Sequence, residues 1–305
     1  MRRVLVAEAL EQEGIDLLRA HFAVDSREST SEEELKNIIS QYDGLMIKTY
    51  TRVSKDVIDR AVKLKVVARA GTGLDRVDVE YAESKGIAVK NTPEANIVSV
   101  AEMVFALMLS VARKVVFGDR YVRSRAGWDR DRFIGTELAE KTLGIIGLGH
   151  IGRKVAKRAN GFEMRLISFD PLVDGEEMAR FGAQKVEILE DLLTIADFVT
   201  IHVPLIETTY HLLGQEQFAI MKKSAILVNT SRGPVVDQRA LLRALREGEI
   251  AGAGLDVFEV EPPEDAEFLA LENIVLSPHI GAATHEALKK MTLQAAEIII
   301  EKLSR

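Results

Sequence analysis

Three polar residues in the last third of the chain have the chemistry that an acid–base reaction needs. Arg232 follows an apolar run that ends at Asn229, Glu261 precedes two prolines, and His279 follows a third. An arginine guanidinium binds a carboxylate through two parallel hydrogen bonds and polarises a nearby carbonyl. A histidine titrates near neutrality, as a general acid or base must, and a carboxylate can hold its ring and stabilise its protonated form. The three residues are therefore candidates for proton transfer on a carboxylate-bearing substrate.

Each of these residues also has an ordinary structural interpretation. An isolated arginine in a loop is usually a surface charge, a single histidine is usually a satisfied structural residue, and Glu261 beside Pro262 could simply be solvated. The side-chain chemistry alone does not decide between the two interpretations. The histidines that we predict to be structural are His21, His202, His211 and His285.

The element expected to hold a ligand beside these residues is a strand–turn–helix–strand unit between Lys141 and Asp170. The apolar run Leu143 to Ile146 predicts a buried strand, and the glycine-rich turn 147–152 follows it. An amphipathic pattern then predicts a helix from about His150, and a second apolar run predicts a strand that ends at Asp170. This order is the context that a dinucleotide-binding βαβ unit requires.

The glycines and the acid of this unit predict that the ligand is NAD. Gly147 allows the tight turn, Gly149 leaves room for a pyrophosphate, and Gly152 lets the helix lie close to the sheet. The helix N terminus directs unpaired N–H groups and the positive end of its dipole at that pyrophosphate. Asp170 follows Gly152 by 18 residues. A carboxylate there accepts hydrogen bonds from the ribose hydroxyls and repels a 2′-phosphate, so NAD is favoured over NADP.

Length and composition indicate a globular protein of two domains. The chain has 305 residues, of which 47% are hydrophobic and 29% charged, and its net charge is −7. The negative charge argues against a nucleic acid or an acidic membrane as a partner. Because the chain has no cysteine, disulfides, thiolate catalysis and cysteine metal sites are excluded, and no metal is predicted.

No segment has the pattern of a signal peptide or a membrane span. The apolar stretch after Met1 is too short for a signal peptide. The longest apolar run, 97–112, is interrupted by Glu102 and is shorter than a bilayer span requires. We therefore expect a cytoplasmic protein with no membrane partner.

Alternating strand and helix patterns predict an α/β protein with two domains. The first has four predicted strands and two predicted helices, one of them capped by Ser54, and the second adds four strands to the βαβ unit. The predicted strands are 4–7, 44–47, 65–69, 87–91, 198–202, 225–229, 253–256 and 274–277, and the predicted helices include 10–21, 54–61 and 238–247. The second domain would be a Rossmann-type doubly wound parallel sheet, and the first a smaller flavodoxin-like α/β domain for the substrate.

The domain boundaries follow from two long helical patterns. One helix is predicted from Ile97 to about Arg125 and would carry the chain into the second domain. Another, at 283–303, would return to the first domain and make it discontinuous. The predicted domains are thus residues 1–97 with 284–305 for the substrate, and 98–283 for NAD.

Two segments of the first domain follow strands and are candidate anion sites. Lys48 to Arg52 follows one strand, and Arg69 to Asp75 follows the next. In the second segment, backbone N–H groups freed by two glycines could surround an anion. The alternative is a plain strand-to-helix turn capped by Asp75 or Asp78.

Taken together, these segments resemble the D-2-hydroxyacid dehydrogenase family over nearly the whole chain. The similarity lies, in chain order, in 67–79, 141–170, 221–237 and 254–281. It implies an NAD-dependent enzyme in which Arg232 binds the substrate carboxylate and keto oxygen, Glu261 orients the imidazole, and His279 exchanges the proton. Glu259 is not the expected acid, because the spacing from Asp256 in the family points to Glu261.

The resemblance also implies binding residues at matching positions. On the NAD side, in addition to the three glycines of the turn, they are Thr72, His150, Ile151, Asp170, Val203, Thr230, Asp256 and Gly281. On the substrate side they are Lys48, Gly71, Thr72, Gly73 and Arg232.

Within the family the chain is most similar to members whose substrate carries a phosphate. Lys48 stands where an arginine more commonly meets that phosphate, and lysine binds phosphate as a point charge without the bidentate fork. Arg130, from an arginine-rich stretch that is otherwise a solvated face or a subunit contact, is a second candidate cation. A homodimer or a tetramer is implied by the resemblance and by the apolar helix 98–116. No regulatory domain is expected beyond Arg305.

Two other functions stay open on the sequence alone. A reductase of hydroxypyruvate or glyoxylate would use the same three reactive residues without a phosphate contact. An NAD(H)-sensing binding protein would share the fold, as transcriptional corepressors do, and would turn over no 2-hydroxy or 2-keto acid. Because Arg232, Glu261 and His279 are all present with suitable neighbours, an enzyme is favoured.

Overall fold

The computed structural model describes residues 1–304 and forms two sheets, each with parallel neighbouring strands. The strands are β1 (Arg3–Val6), β2 (Ala23–Ser26), β3 (Gly44–Ile47), β4 (Val66–Arg69), β5 (Ala88–Asn91), β6 (Thr142–Ile146), β7 (Arg165–Phe169), β8 (Ala183–Lys185), β9 (Phe198–Ile201), β10 (Ile226–Asn229), β11 (Gly252–Leu255) and β12 (Ile274–Leu276).

Helices connect the strands throughout both sheets. They are α1 (Gln12–Arg19), α2 (Glu32–Ile38), α3 (Lys55–Arg60), α4 (Val79–Ser84), α5 (Ile97–Ala112), α6 (Val115–Ser124), α7 (His150–Gly161), α8 (Gly175–Arg180), α9 (Leu189–Ile195), α10 (Gln215–Ile220), α11 (Gln238–Glu247), α12 (Ala266–Leu269) and α13 (His285–Ser304).

The chain divides into two compact units. The first comprises Met1–Ser99 and Ala282–Arg305, and the second comprises Val100–Gly281. The predicted α/β fold with parallel sheets is confirmed. The assignment of the substrate to the first unit and of NAD to the second stays a prediction at this point.

The sheet of the first unit has the order β2-β1-β3-β4-β5, which is the flavodoxin-like doubly wound order. Apolar clusters cover both of its faces, as parallel strands require. Strand β2 was not predicted, because it is an edge strand whose residues are exposed or half-buried and which therefore lacks an apolar run. The carboxyl ends of β1, β3 and β4 lie at one edge of this sheet, where the two candidate anion segments begin.

The helix α13 completes the core of the first unit. Ala295, Ile299 and Leu303 are buried in the same cluster as Val4 on β1. The helix α1 approaches α13 closely, because a Cβ at Gly14 would lie 2.4 Å from Cγ2 of Thr292. One face of the sheet is therefore covered by residues from the far end of the chain.

The sheet of the second unit has the order β12-β11-β10-β9-β6-β7-β8. Strand order reverses between β6 and β9, and an open α/β sheet binds ligands outside the carboxyl ends of the strands at such a point. The turn after β6 and the loop after β9 therefore meet where a dinucleotide is expected. The short strand β8 was not predicted, because only one of its three residues is buried.

The single helix predicted from residue 97 to about 125 is wrong, because the chain forms two helices with a break at Arg113 and Lys114. Lys114 adopts a left-handed conformation with φ of 54°. The break is fixed from outside the helix: the Thr136 N–H donates to the Ala112 carbonyl at 2.9 Å. A Cβ at Gly135 would lie only 2.3 Å from the same carbonyl oxygen.

The apolar helix α5 is a core helix of the kind that its sequence predicted. Ala101, Val104 and Met108 are fully buried in the second unit. Across residues 1–304, no helix combines the length and the apolar character needed to cross a bilayer.

Ser54 occupies the N-cap position of α3, as predicted, but its side chain makes no capping bond. Its hydroxyl is hydrogen-bonded to the Glu32 carboxylate, a charged and therefore stronger acceptor. The Lys55 N–H donates instead to Oδ2 of Asp78 at 2.8 Å. Asp78 thus supports the start of α3 and makes no side-chain cap for α4, the helix that it precedes.

Candidate active site

The turn after β6 has the geometry that its three glycines predicted. Gly147 has φ of +90°, and a Cβ there would lie 2.9 Å from the His202 carbonyl. A Cβ at Gly152 would lie 2.3 Å from the Gly147 carbonyl oxygen, which shows how closely α7 approaches the strand. At Gly149, by contrast, a Cβ would meet no atom within 4 Å. The backbone therefore faces open space at the one glycine that was expected to face a ligand.

The start of α7 and the end of β7 complete a cradle for a dinucleotide. The helix begins at His150, and no side chain caps it, so N–H groups of its first turn have no side-chain acceptor. Asp170 accepts hydrogen bonds from the Leu148 N–H at 2.8 Å and the Leu172 N–H at 2.9 Å. This carboxylate is thus fixed against the glycine turn. The space, the helix terminus and the acid fit NAD.

Other residues predicted to line the NAD site lie in the same unit. Thr230 follows β10, is 8% exposed, and its hydroxyl finds no hydrogen-bond partner within residues 1–304. Ile151 and Val203 are half-buried, and His150 is exposed. Contact of these residues with the cofactor stays a prediction.

His202 lies directly behind the glycine turn. Its N–H donates to the Ile146 carbonyl at 2.7 Å, and its Nε2 lies 3.0 Å from the Thr200 hydroxyl. His202 as a whole residue is half-buried. Its ring is surrounded by protein, and this burial lowers the pKa of His202 to about 3. The imidazole is therefore neutral throughout the physiological range.

We expect His202 to contribute to the acid sensitivity of the fold. Its pKa in the unfolded chain is about 6.5. The unfolded state therefore takes up the proton first, and stability that is complete above about pH 6.5 declines as the pH falls towards 3. Between pH 7 and pH 5, the free energy of unfolding should fall by up to about 2 kcal/mol from this group alone.

Urea unfolding of His202→Gln at pH 7 and pH 5 checks this expectation. The free energy of unfolding of the wild-type protein should differ between the two pH values, and His202→Gln should lose the part of this difference that His202 contributes. His21→Gln, at an exposed histidine, should keep the full difference. An unchanged pH difference in His202→Gln would contradict the burial of a neutral ring.

Glu261 and His279 form a hydrogen-bonded pair. Nδ1 of His279 lies 2.8 Å from Oε2 of Glu261, and the other carboxylate oxygen accepts the Phe258 N–H at 3.2 Å. Partial burial alone would raise the pKa of Glu261, but the bond and charge of His279, the Phe258 N–H and the charge of Arg232 hold it below the usual range. The carboxylate is therefore ionised beside an imidazole whose side chain is 46% exposed.

Asp256 braces the turn that carries His279. It is 1% exposed and accepts hydrogen bonds from the Ser277 hydroxyl at 2.6 Å, the Ile280 N–H at 2.9 Å and the Gly281 N–H at 2.7 Å. His279 itself adopts a left-handed conformation with φ of 53°. The structure thus gives Asp256 a bracing role. A contact of Asp256 or Gly281 with NAD stays a prediction.

The loop of Arg232 is locked onto the loop of Glu261. The Asn229 amide donates to the Arg232 carbonyl at 2.9 Å, and Nη1 of Arg232 donates to the Ser231 carbonyl at 2.7 Å. A Cβ at Gly233 would lie 1.9 Å from both the carbonyl carbon and the oxygen of Phe258. The two backbones therefore touch at Gly233. The structure brings Arg232, Glu261 and His279 into one neighbourhood. Their roles in catalysis stay predictions.

Glu259 serves a different partner. Its Oε1 lies 2.6 Å from Nε2 of His211 and accepts the Gln238 N–H at 3.2 Å, while Nδ1 of His211 lies 3.8 Å from Oδ2 of Asp237. One ligand atom from each of His211, Asp237 and Glu259 lies within 4.8 Å of the other two. The short contact between His211 and Glu259 joins the loops on either side of Arg232. Sequence reasoning missed this link, because 48 residues separate the partners.

The candidate substrate residues of the first unit follow β3 and β4. Gly71 has φ of +144°, and a Cβ there would lie 2.5 Å from Nη1 of Arg69. The Gly71 N–H, which was expected to meet an anion, donates instead to the Thr92 hydroxyl at 2.8 Å. Thr72 donates to Oδ1 of Asn96 at 3.0 Å. Thr72 and Gly73 are half-buried, as is Lys48, and their contacts with a substrate stay predictions.

The arginine-rich stretch after α5 is exposed in the single chain. Arg123 pairs with Asp119 at 2.8 Å, and Arg132 lies over the ring of Tyr121. Arg130 and Trp128 are exposed, with 79% of the Trp128 surface accessible. The roles of Arg130 as a phosphate contact and of this stretch as a subunit contact stay predictions.

The Rossmann-type sheet, the glycine turn and the ionised Glu261 beside His279 define the class: a nicotinamide-dependent oxidoreductase. Residues 105–281 match the NAD binding domain of the D-isomer specific 2-hydroxyacid dehydrogenases. The chain belongs to this family, and the resemblance seen in its sequence is confirmed.

Individual relatives differ in the activity that their names state. The chain is 44% identical over all 305 residues to the D-3-phosphoglycerate dehydrogenase of Methanocaldococcus jannaschii, but it spans only 57% of that protein's length. It is 43% identical to a glyoxylate reductase of Korarchaeum cryptofilum, across 98% of this chain and 92% of that enzyme. A solved structure of a Thermus thermophilus protein matches with a TM-score of 0.92 at 38% identity, covering 99% of this chain and 97% of the other.

Proposed function

We propose that the protein oxidises the C2 hydroxyl of D-3-phosphoglycerate with NAD, the reaction that opens serine synthesis. The observation that carries the chemistry is the 2.8 Å contact between His279 and Glu261, whose loop is locked to the loop of Arg232. The similarity to D-3-phosphoglycerate dehydrogenases supports the choice of substrate. The cytoplasm as location and a homodimer as assembly belong to the same proposal.

The residues of the second unit would divide the work. NAD, when bound, supplies the acceptor for the hydride that leaves C2. The glycine turn and the first turn of α7 would hold the pyrophosphate, and Asp170 the ribose. Arg232 would bind the substrate carboxylate through its guanidinium fork. Nε2 of His279 would accept the hydroxyl proton, because Nδ1 is already engaged by Glu261, whose charge stabilises the imidazolium that forms.

The proposal predicts that Lys48→Ala lowers activity on the phosphorylated substrate selectively. A charge-assisted hydrogen bond contributes about 1.5–3 kcal/mol, so KM for D-3-phosphoglycerate should rise roughly 10- to 100-fold. The value of kcat/KM for glyoxylate should change by no more than about twofold, since no phosphate is present. Lys48→Arg should keep the phosphorylated substrate, and Lys63→Ala, at an exposed lysine of the same unit, should change neither activity.

The direct test follows NADH absorbance in both directions. Purified protein is given D-3-phosphoglycerate with NAD, and separately hydroxypyruvate or glyoxylate with NADH. NADH formation with D-3-phosphoglycerate, with a lower KM than that of D-glycerate, is the expected result. Turnover of the unphosphorylated keto acids alone would reject the proposed substrate and retain the family chemistry.

A second candidate is a glyoxylate or hydroxypyruvate reductase. Two observations favour it: the chain spans 92% of the Korarchaeum cryptofilum glyoxylate reductase, and it carries Lys48 where an arginine fork was expected. Its signature would be a kcat/KM for glyoxylate that exceeds that for D-3-phosphoglycerate and is unchanged in Lys48→Ala. NAD binding with no turnover of any of these acids would instead indicate a sensing protein.

A further inference from the structure

Glu8 is a buried carboxylate at the carboxyl end of β1. It is only 4% exposed. Its two oxygens accept hydrogen bonds from four consecutive backbone N–H groups, those of residues 48–51, at distances of 2.8–3.0 Å. Each oxygen takes two of the four donors. The segment that contains the proposed phosphate contact, Lys48, is thus wrapped around an acid from another strand.

The four donors stabilise the charge of Glu8. Burial alone would raise its pKa, but the four backbone hydrogen bonds together hold the pKa below its usual range. Successive backbone N–H groups that converge on one point form an anion-binding concavity. In this protein the chain itself supplies the anion for that concavity. A substrate phosphate therefore finds these four N–H groups already engaged.

The rest of the segment is fixed as well. The Lys48 carbonyl accepts a hydrogen bond from Nε of Arg69 at 3.0 Å. At the other end, Val53 forms a bridge to Val77, and its N–H donates to the Arg76 carbonyl at 2.8 Å. The backbone of 48–53 is thus held at both ends and, between them, by the Glu8 carboxylate. The Lys48 side chain, by contrast, is only half-buried.

We propose that Glu8 is a positioning residue for substrate recognition: it fills the anion site of the 48–51 backbone and so leaves the distal anion of the substrate to the Lys48 ammonium. This inference rests on the proposed function, because it assigns that anion to Lys48. It adds that the loop is shaped before substrate binds, by an internal carboxylate. Glu8 would not touch the substrate, and its effect would pass through the backbone of Lys48.

The variant Glu8→Gln tests the proposal with nearly unchanged side-chain size. A glutamine offers one acceptor oxygen and turns an NH₂ group towards two N–H donors, so at least two of the four bonds must break. Amide hydrogen exchange should then lose protection at residues 48–51 by at least about tenfold. Protection at Leu45 and Met46 within β3 should persist. Glu28→Gln, at an exposed glutamate of the same unit, is the matched control and should change none of these amides.

The kinetic arm separates positioning from a general loss of structure. In Glu8→Gln, KM for D-3-phosphoglycerate should rise about tenfold or more while kcat stays within about threefold, because the groups that move the proton are untouched. Glu8→Asp, which keeps the charge, should restore part of the affinity. A loss of exchange protection with an unchanged KM would overturn the role in recognition. Equal losses in kcat and affinity would overturn it too, since they indicate a structural effect.

A measurement on the wild-type protein tests the proposal even if the Glu8→Gln variant does not fold. In NMR spectra recorded between pH 7 and pH 3, the four amide protons of residues 48–51 should titrate together, with a pKa below the ordinary glutamate value of about 4.3. Amides that titrate separately or with a pKa above that value, or unchanged protection in a folded Glu8→Gln, would overturn the proposal. These outcomes do not depend on the substrate. Failure of the enzyme to use D-3-phosphoglycerate would therefore reject the proposed function while leaving the placement of Glu8 intact.

Discussion

Replacement of His279 by glutamine is expected to lower kcat by about 10²–10⁴, the contribution of a general acid or base. Glutamine can still hydrogen-bond Glu261, but it cannot take up the hydroxyl proton of the substrate near neutral pH. The Kd for NAD should stay within about threefold, because the glycine turn and Asp170 are not altered. Steady-state rates from NADH absorbance and calorimetric titration with NAD give the two quantities.

Two controls make this result specific. His285→Gln, at another exposed histidine, should retain full activity. A comparison of Glu261→Gln with Glu259→Gln separates the two acids of one loop: the first removes the charge paired with His279, and the second weakens the link to His211. A larger loss of kcat in Glu259→Gln than in Glu261→Gln would reverse the assignment. A fully active His279→Gln would remove His279 from the chemistry.

Among the glycine-to-alanine substitutions in the second unit, Gly233→Ala is expected to cause the largest loss of stability and activity. The added carbon would lie 1.9 Å from backbone atoms of Phe258, which cannot rotate away as a flexible side chain could. The loops of Arg232 and Glu261 must therefore separate. Overpacking typically destabilises by about 1–3 kcal/mol, and contact with rigid backbone puts this change at the upper end of that range or above it. A shift of about 1 Å at a catalytic group costs roughly 10² in rate.

The matched control for this change is Gly161→Ala. Gly161 is the last residue of α7, and a Cβ there would meet no atom within 4 Å. Alanine should stabilise the helix by about 0.5–1 kcal/mol or leave it unchanged. Thermal unfolding and kcat/KM of both variants check the expectation. A Gly233→Ala protein with wild-type Tm and activity would show that the two loops can part without consequence.

The elements that sequence patterns predicted well are those whose causes are local. The helix from His150 was placed at its first residue, because the glycine turn and the amphipathic pattern both lie within a few residues of it. The helix Gln238–Glu247 was predicted with its bounds, since Asp237 caps its start and Gly248 adopts the left-handed conformation that ends it. The Glu261 and His279 pair was inferred from residue chemistry and was supported by family resemblance.

The features that were missed depend on contacts between distant parts of the chain. The break between α5 and α6 is set by Gly135 and Thr136, which follow the break in sequence and give it no pattern. The bonds from residues 48–51 to Glu8 exist only because β1 and β3 are neighbours in the sheet. The link between His211 and Glu259 likewise requires the folded loops. In each case the residue that makes the contact lies tens of residues away in the sequence, and residue spacing does not predict contacts over such a separation.

The covering of the first unit by α13 sets an order for folding on the ribosome. The five strands of its sheet are complete once Asn91 has been made, but one face lacks Ala295, Ile299 and Leu303 until the last helix emerges. The residues of the second unit are contiguous, so that unit can close its core earlier in synthesis. The nascent first unit therefore exposes the part of its apolar sheet face that α1 does not cover for the time that the second unit takes to be synthesised. Chaperone dependence of this protein should accordingly reside in residues 1–99.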